Sequence, residues 1–460
     1  MAVTYIDYDI QSNVFSTEEG KAIFDEKARI QRWLTIEGIL AETQAEIGII
    51  SKESARIIQS KAKLEKLDVE KIRQAYRKGK NSIMPVIHAL SQACEDGAGD
   101  WVHYGVTTQD IVDTGQILEL KEVLSIVYRD SRALEEKLLA MTVQHIKTVM
   151  IGRTHGQYAL PITLGLKIAI WLSELRRHIE RLKSLKSRVL VGQLSGAVGH
   201  FSVLGEQGKK VSEQTLRKLG LQFSPVAWHV SRDNIAEFCS VIALLITTIA
   251  KIANEIFQLS KTDLQEMEES SFDSNVISSS AMPHKNNPVL SQRIIVMSRH
   301  ILALNSVVME SMMHEHERDP RSLWSEWLSI PQLSIYAMAA LENMLKLISN
   351  LKIYPEKMNE NLKSYGDFIA SEHLLLKLSR QLGKNTAQEK LQALTTLASI
   401  KKVSFKSCLM DDSEVNALLD DEDFNILDNP CYYRGQSESI TKEIINRISE
   451  FRKNDNECLI

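Results

Sequence analysis

The sequence predicts an all-α protein built around a long central helix bundle. Three observations predict it. The nine prolines are clustered, so residues 86–160, 162–224 and 226–282 contain none. Those spans leave room for long uninterrupted helices. Apolar residues recur at helical spacing across them, and alternating strand patterns are scarce.

The first long helix is expected over 109–147. There Ile111, Val112, Ile117, Leu118, Val123, Leu124, Val127, Leu134, Leu138 and Met141 recur at three, four or about seven. "LGLKIAIWLSELRRHIERLKSL" (164–185) and "IAEFCSVIALLITTIAKIANEIFQL" (235–259) follow. The second is nearly apolar all round and belongs at a bundle centre. "NNPVLSQRIIVMSRHILALNSVVMESMM" (286–313) and "SEWLSIPQLSIYAMAALENMLKLISNL" (325–351) complete about five helices. The expected division is an N-terminal helical domain, 1–105, a central bundle, 106–354, and a C-terminal helical domain, 355–460. Helices of ~35–40 residues extend ~50–60 Å. Burial of their apolar length against further copies of the chain predicts an oligomer.

Composition excludes several classes. With 460 residues, 25% charged and 44% apolar, the chain is ordinary for a large globular protein. A net charge of −4 offers no basic field for nucleic acid. Five scattered cysteines without a CxxC fit a reducing compartment and give no cysteine metal site. The N-terminus "MAVTYIDYDIQSN" has no secretory pattern, and no apolar run is expected to reach membrane-spanning length. A cytoplasmic protein is expected.

Four polar segments interrupt the helical background. "HYGVTTQD" (103–110) precedes the first long helix. Thr107 or Thr108 could cap that helix, or its free N–H groups could bind an anion. "IGRTHGQYALP" (151–161) reads as a loop carrying Arg153, Thr154, His155 and Gln157. "ISSSAMPHKNNP" (277–288) is polar and twice interrupted by proline. "HEHERDPRSLWSEW" (314–327) places His314 and His316 two apart, on different helix faces, which is wrong for a two-histidine metal site. "GEQGKK" (205–210) lacks phosphate-loop spacing. Hydroxyls, a lysine, a histidine and amides on such loops suit proton abstraction next to a carboxylate, with donors arranged around the resulting dianion. No cofactor or metal is expected.

These segments resemble the fumarase/aspartase lyases, which include adenylosuccinate lyase, argininosuccinate lyase and carboxymuconate cycloisomerase. "SSSAMPHKNNP" is similar to their shared Gly-Ser-Ser-x-Met-Pro-x-Lys-x-Asn-Pro loop, and "HYGVTTQD" and "GRTHGQYALPITLGLK" to two further regions. The likeness runs from "NVFSTEEGKAIFDEKARIQRWL" to "LDNPCYYRG". It implies a three-domain, tetrameric, all-α fold whose sites draw on three subunits. It implies that Ser279 is the general base, on a loop that closes over substrate. His155 is the implied acid or relay partner, and Lys285 and Asn287 the carboxylate binders. Thr107, Thr108 and Gln109 match the region that binds the substrate's carboxylates. His103, Thr154, Gln157, Ser280 and Met282 lie in the matched regions and are expected to touch substrate. The implied reaction is β-elimination of fumarate from an N-substituted succinate. A carboxymuconate cycloisomerase and a non-catalytic structural homologue are the alternatives.

Four positions depart from the pattern. Ser278 stands where the loop has Gly, Asn286 where Arg or Val is usual, and Ser82 where adenylosuccinate lyases carry a histidine. Gln292 stands where many fumarate-forming members pair a Glu with the histidine. An amide can orient an imidazole but does not stabilise its charged form as a carboxylate does. The leaving group is expected to be set by residues near His103, Gln157 and 314–327.

Overall fold

The computed structural model describes residues 4–11, 13–79, 83–270, 282, 285–455 and 458–460. Ser82, Ser278, Ser279 and Ser280 therefore lie outside the described residues.

The chain opens with α1 (Glu18–Phe24), α2 (Glu26–Ile47), α3 (Lys52–Lys61), α4 (Val69–Lys78) and α5 (Met84–Ala93). Asp25 sets the start of α2 by accepting from the amides of Lys27 and Ala28 at 2.9 and 3.2 Å. Gly48, at φ +86°, ends it. Leu34, Ile57, Ile58, Val86 and Leu90 form a small apolar cluster of their own here.

The bundle follows: α6 (Thr108–Gln144), the strands β1 (Val149–Thr154) and β2 (Gln157–Thr163), and α7 (Leu164–Val189). Beyond it come β3 (Val191–Gly192), α8 (Gly208–Lys218), β4 (Gln222–Phe223) and α9 (Asp233–Leu259). Strand β5 (Met267–Glu269), α10 (Val289–Glu310), α11 (Pro320–Ser349) and β6 (Leu351–Ile353) complete it. All five expected long helices are present, as α6, α7, α9, α10 and α11. Their shared core includes Leu124, Leu172, Ile242, Leu245, Ile294 and Leu341. Close approach at one corner depends on Gly165, where a Cβ would meet the Ile146 Cα at 2.7 Å.

Helix α9 corrects one expectation. By length and composition it could cross a membrane, but most of it is buried inside the bundle. Its apolarity reflects neighbours on nearly every side. Pro331 lies inside α11 rather than breaking it. The Gln332 side-chain amide donates to the Leu328 carbonyl beside it, at 3.2 Å.

The remaining helices are α12 (Pro355–Ser364), α13 (Ser371–Leu382), α14 (Lys384–Lys401), α15 (Phe405–Asp411), α16 (Ser413–Asn416), α17 (Asp421–Asp428) and α18 (Ser437–Asn454). Leu374, Leu378, Phe405, Leu409 and Leu427 form a third apolar cluster. Helix α18 instead returns to pack on α7 and α6. It is anchored by Asp455, which receives Arg132 and Arg176 at 2.6 Å and Lys183 at 2.8 Å.

Candidate active site

The start of α6 gathers one group of polar residues. Thr107 is its N-cap residue, and the Thr107 amide donates to Asp110 Oδ2 at 3.0 Å. That same oxygen accepts from the Gly196 amide at 2.8 Å, while Oδ1 meets His229 Nε2 at 2.8 Å. Asp110 thus ties the α6 start to the 193–199 loop and to the approach of α9. Gln109 donates to the His229 carbonyl at 2.9 Å. Arg318, from the α10–α11 connection, reaches Thr107 Oγ1 at 3.2 Å and the Ala197 carbonyl at 2.7 Å. A cavity of about 540 Å³ opens beside Thr108 and Gln109, walled by Tyr76, Arg318, Trp324 and Trp327. A second, of about 420 Å³, lies past Tyr76 and Trp327, between α2 and α6.

His103 is held at the same end. Its backbone sits at φ +63°, and Nδ1 lies 2.6 Å from Glu37 Oε1. Burial alone would lower the imidazole's pKa, but the Glu37 carboxylate outweighs it and raises it. Deeper in, Arg232 is fully buried between Asp113, at 2.9 Å, and Glu326. Burial pushes the Asp113 carboxyl up against the opposing pull of Arg232.

The other group lies beyond the far end of α6. "IGRTHGQYALP" is a β-hairpin rather than a loop: β1 and β2 pair antiparallel from Val149↔Thr163 to Thr154↔Gln157. His155 and Gly156 form its two-residue turn, both at positive φ, +51° and +77°. That is the backbone of the tight turn that matches strand twist. Thr154, His155 and Gln157 are exposed at the tip. Thr154 also lines an open groove of about 900 Å³ with Tyr158, Tyr365 and Phe368. Arg153 anchors the hairpin through Glu266, with contacts of 3.1 and 2.5 Å.

Lys285 and Asn287 precede α10 at this same end, with Met282 exposed beside them. Between them, Asn286 donates to the Glu269 carbonyl at 2.6 Å. Asn286 therefore works as a local tether where the resembled loop carries a different residue. Gln292 is exposed in the second turn of α10.

The structure brings His103, Thr107, Thr108 and Gln109 together. It brings Thr154, His155, Gln157, Met282, Lys285 and Asn287 to the opposite end. The 37 residues of α6 separate the groups by ~55 Å. Of the three regions expected to set the leaving group, His103 and 314–327 share one end and Gln157 lies at the other.

Among the described residues, the buried polar atoms without a hydrogen bond include Gln44 Oε1, Gln109 Oε1, Asp113 Oδ1, Ser195 Oγ and both His314 ring nitrogens at the Thr107 end, and Arg153 Nε at the hairpin end. Such atoms are rare in folded proteins. Glu37, Asp113, His229, Arg232 and Glu326 were not singled out by sequence. Glu326 stood inside the polar stretch 314–327, but Glu37 gives no local signal because its partner is 66 residues away.

The comparisons decide the family. Residues 15–303 match the protein family described as lyase. The chain belongs to the fumarase/aspartase superfamily of lyases. It is 40% identical over 382 residues to the N-acetyl-S-(2-succino)cysteine lyase of Enterococcus italicus, covering 83% of this chain and 84% of that one. It is 35% identical over 433 residues to the adenylosuccinate lyase of Methanothermobacter thermautotrophicus, covering 94% and 96%. The 3-carboxy-cis,cis-muconate lactonizing enzyme of Pseudomonas putida superposes with a TM-score of 0.87 at 29% identity, covering 95% of this chain and 98% of that one. This lyase therefore shares its all-α fold with enzymes of at least three substrate classes.

Proposed function

We propose that this lyase releases fumarate from a 2-substituted succinate, and that the bond broken is carbon–sulfur, in an S-(2-succino)cysteine derivative. The 40% identity to an N-acetyl-S-(2-succino)cysteine lyase carries the reading. The base removes a proton from the carbon next to one carboxylate. The electron pair forms the new double bond, and the carbon–sulfur pair leaves with the thiolate. Ser279 is the proposed base. Lys285, Asn287, Thr107, Thr108 and Gln109 hold the carboxylates and the dianion. Thr154, Gln157, Ser280, Met282 and His103 shape the substrate site.

Leaving-group chemistry supports sulfur over nitrogen. A thiol has a pKa of about 8.5, so a thiolate leaves with little proton assistance. An amine must be protonated as it departs. His155 here faces the amide of Gln292 in the family pattern rather than a carboxylate, which weakens it as a proton donor. This departs from the N-substituted succinate expected from sequence. The similarity to an adenylosuccinate lyase favours that carbon–nitrogen reading as the second one.

The two groups of site residues lie ~55 Å apart in one chain, too far to act on one small molecule. We infer that copies of the chain pack antiparallel, as a homotetramer, and bring opposite ends together. Exposed Leu244, Leu302, Val307, Trp324 and Leu328 on the bundle helices supply apolar surface for that contact.

The test is incubation of the enzyme with N-acetyl-S-(2-succino)cysteine, adenylosuccinate and carboxymuconate. Fumarate is followed by ultraviolet absorbance and thiol by a thiol reagent. Equimolar fumarate and thiol from the first compound is expected. Fumarate from adenylosuccinate alone would establish carbon–nitrogen cleavage instead. Loss of carboxymuconate without fumarate would establish cycloisomerisation.

A further inference from the structure

The strand β5 is three residues long, yet three carboxylates in "EMEE" (266–269) reach into both segments at the hairpin end. Glu266 is fully buried. Its two oxygens hold Arg153, two residues before His155, and Oε1 also accepts from Asn361 Nδ2 at 2.9 Å. Arg153 pairs with Tyr158 across the hairpin and lays its guanidinium 5.0 Å from that ring's centre. The base of the His155 turn is thereby fixed by a two-pronged ion pair and a cation–π contact.

Glu269 is 7% exposed and acts on the other segment. Its Oε1 accepts from the Leu290 amide at 2.6 Å, and its Oε2 from the Ser291 amide and hydroxyl at 3.1 and 3.0 Å. A buried carboxylate at the first turn of α10 is stabilised by those donors and by the helix dipole. The Glu269 carbonyl takes Asn286, the residue between Lys285 and Asn287. Glu268 adds a second contact to Asn286 at 3.2 Å and is itself held by Tyr354 at 2.7 Å. Strand β5 is stiffened by antiparallel pairing with β6, from Met267↔Ile353 to Glu269↔Leu351.

We propose that Glu266 and Glu269 are positioning residues of the lyase: Glu266 aims the His155 turn through Arg153, and Glu269 sets Lys285 and Asn287 through the start of α10. The inference rests on the elimination reading above, and each carboxylate has its own kinetic signature. Lys285 and Asn287 bind carboxylate, so loosening them weakens binding. His155 supplies what proton assistance the departing thiolate takes, so loosening it slows turnover. Supports on a paired strand hold catalytic groups more closely than a free loop does.

Four variants test this: Glu266→Gln, Arg153→Lys, Glu269→Gln and Ser291→Ala. Arg153→Lys and Ser291→Ala are the milder changes and remain informative if either glutamine variant fails to fold. Glu269→Gln is expected to raise KM and weaken succinate inhibition about 10-fold, and Glu266→Gln to lower kcat about 10-fold and shift one limb of its pH profile, with the other constant little changed. Arg153→Lys and Ser291→Ala should move the same constants in the same directions, by less. Hydrogen exchange should quicken within 149–163 for Glu266→Gln and within 285–293 for Glu269→Gln, and not elsewhere. Equal falls in kcat with unchanged KM and exchange quickened throughout would overturn positioning in favour of general stability. Unaltered kinetics despite local exchange changes would overturn it too. A wild-type enzyme that releases fumarate from none of the succinates would instead overturn the elimination reading, while the exchange pattern would still report on the mounts.

Discussion

His103 and His155 both sit at positive φ, +63° and +51°, where most side chains are disfavoured. Backbone held there by surrounding structure is common at functional sites. The sequence singled out both histidines by their polar neighbours, but it gave no sign of this backbone, nor of Glu37 beneath His103. A third histidine, His178, was unremarked within a helical stripe. Burial pushes its imidazole down to about 4, and the neighbouring Arg181 guanidinium adds to the effect. Its Nε2 lies 2.8 Å from Thr248 Oγ1. Because the folded state refuses a proton that the unfolded chain binds, stability is full above the ordinary histidine pKa near 6.5. It falls as pH drops from there towards 4, by up to about 1.4 kcal/mol per unit. His178→Asn, which keeps a neutral hydrogen-bonding group, should flatten that slope. Urea unfolding midpoints at pH 7 and pH 5 measure it. An unchanged slope would mean His178 is not the group responsible.

At the scale of elements, the helices were legible because apolar spacing and proline placement act locally. Helix α9 shows the limit. Its length and composition also fit a membrane span, and packing against α7, α10 and α11 bears out the bundle-centre reading instead. The β1–β2 hairpin was read as a loop, since "VMIGRT" and "QYALPIT" are short strands with little alternation. Its turn shows why glycine follows His155. Gly156 lies at φ +77° with open space around its Cα. Gly156→Ala therefore meets backbone strain and no clash, at a cost of about 1–2 kcal/mol. The strain falls on the turn that carries His155. We expect kcat to fall further than the thermal midpoint alone would suggest. A turnover rate equal to wild type would show that the turn's shape is not used in the reaction.

For the whole molecule, the sequence contained the segments of the proposed site but not their separation. Distance depends on which way each helix runs, and no motif records it. The structure places Thr107, Thr108 and Gln109 at one end of α6 and the His155 and Lys285 segments at the other. Buried polar atoms without partners occur at both ends, Gln109 Oε1 at the first and Arg153 Nε at the second. The antiparallel packing we infer would join the ends, with the exposed apolar residues of α9, α10 and α11 as the proposed contact. The most direct measurement is complementation between Thr108→Val and His155→Ala. Each variant alone should release little fumarate. Mixed, dissociated and reassembled, they should regain up to about a quarter of wild-type activity, the share of sites that draw both intact segments from different subunits. No recovery, from a mixture shown to have exchanged subunits, would contradict a site shared between chains.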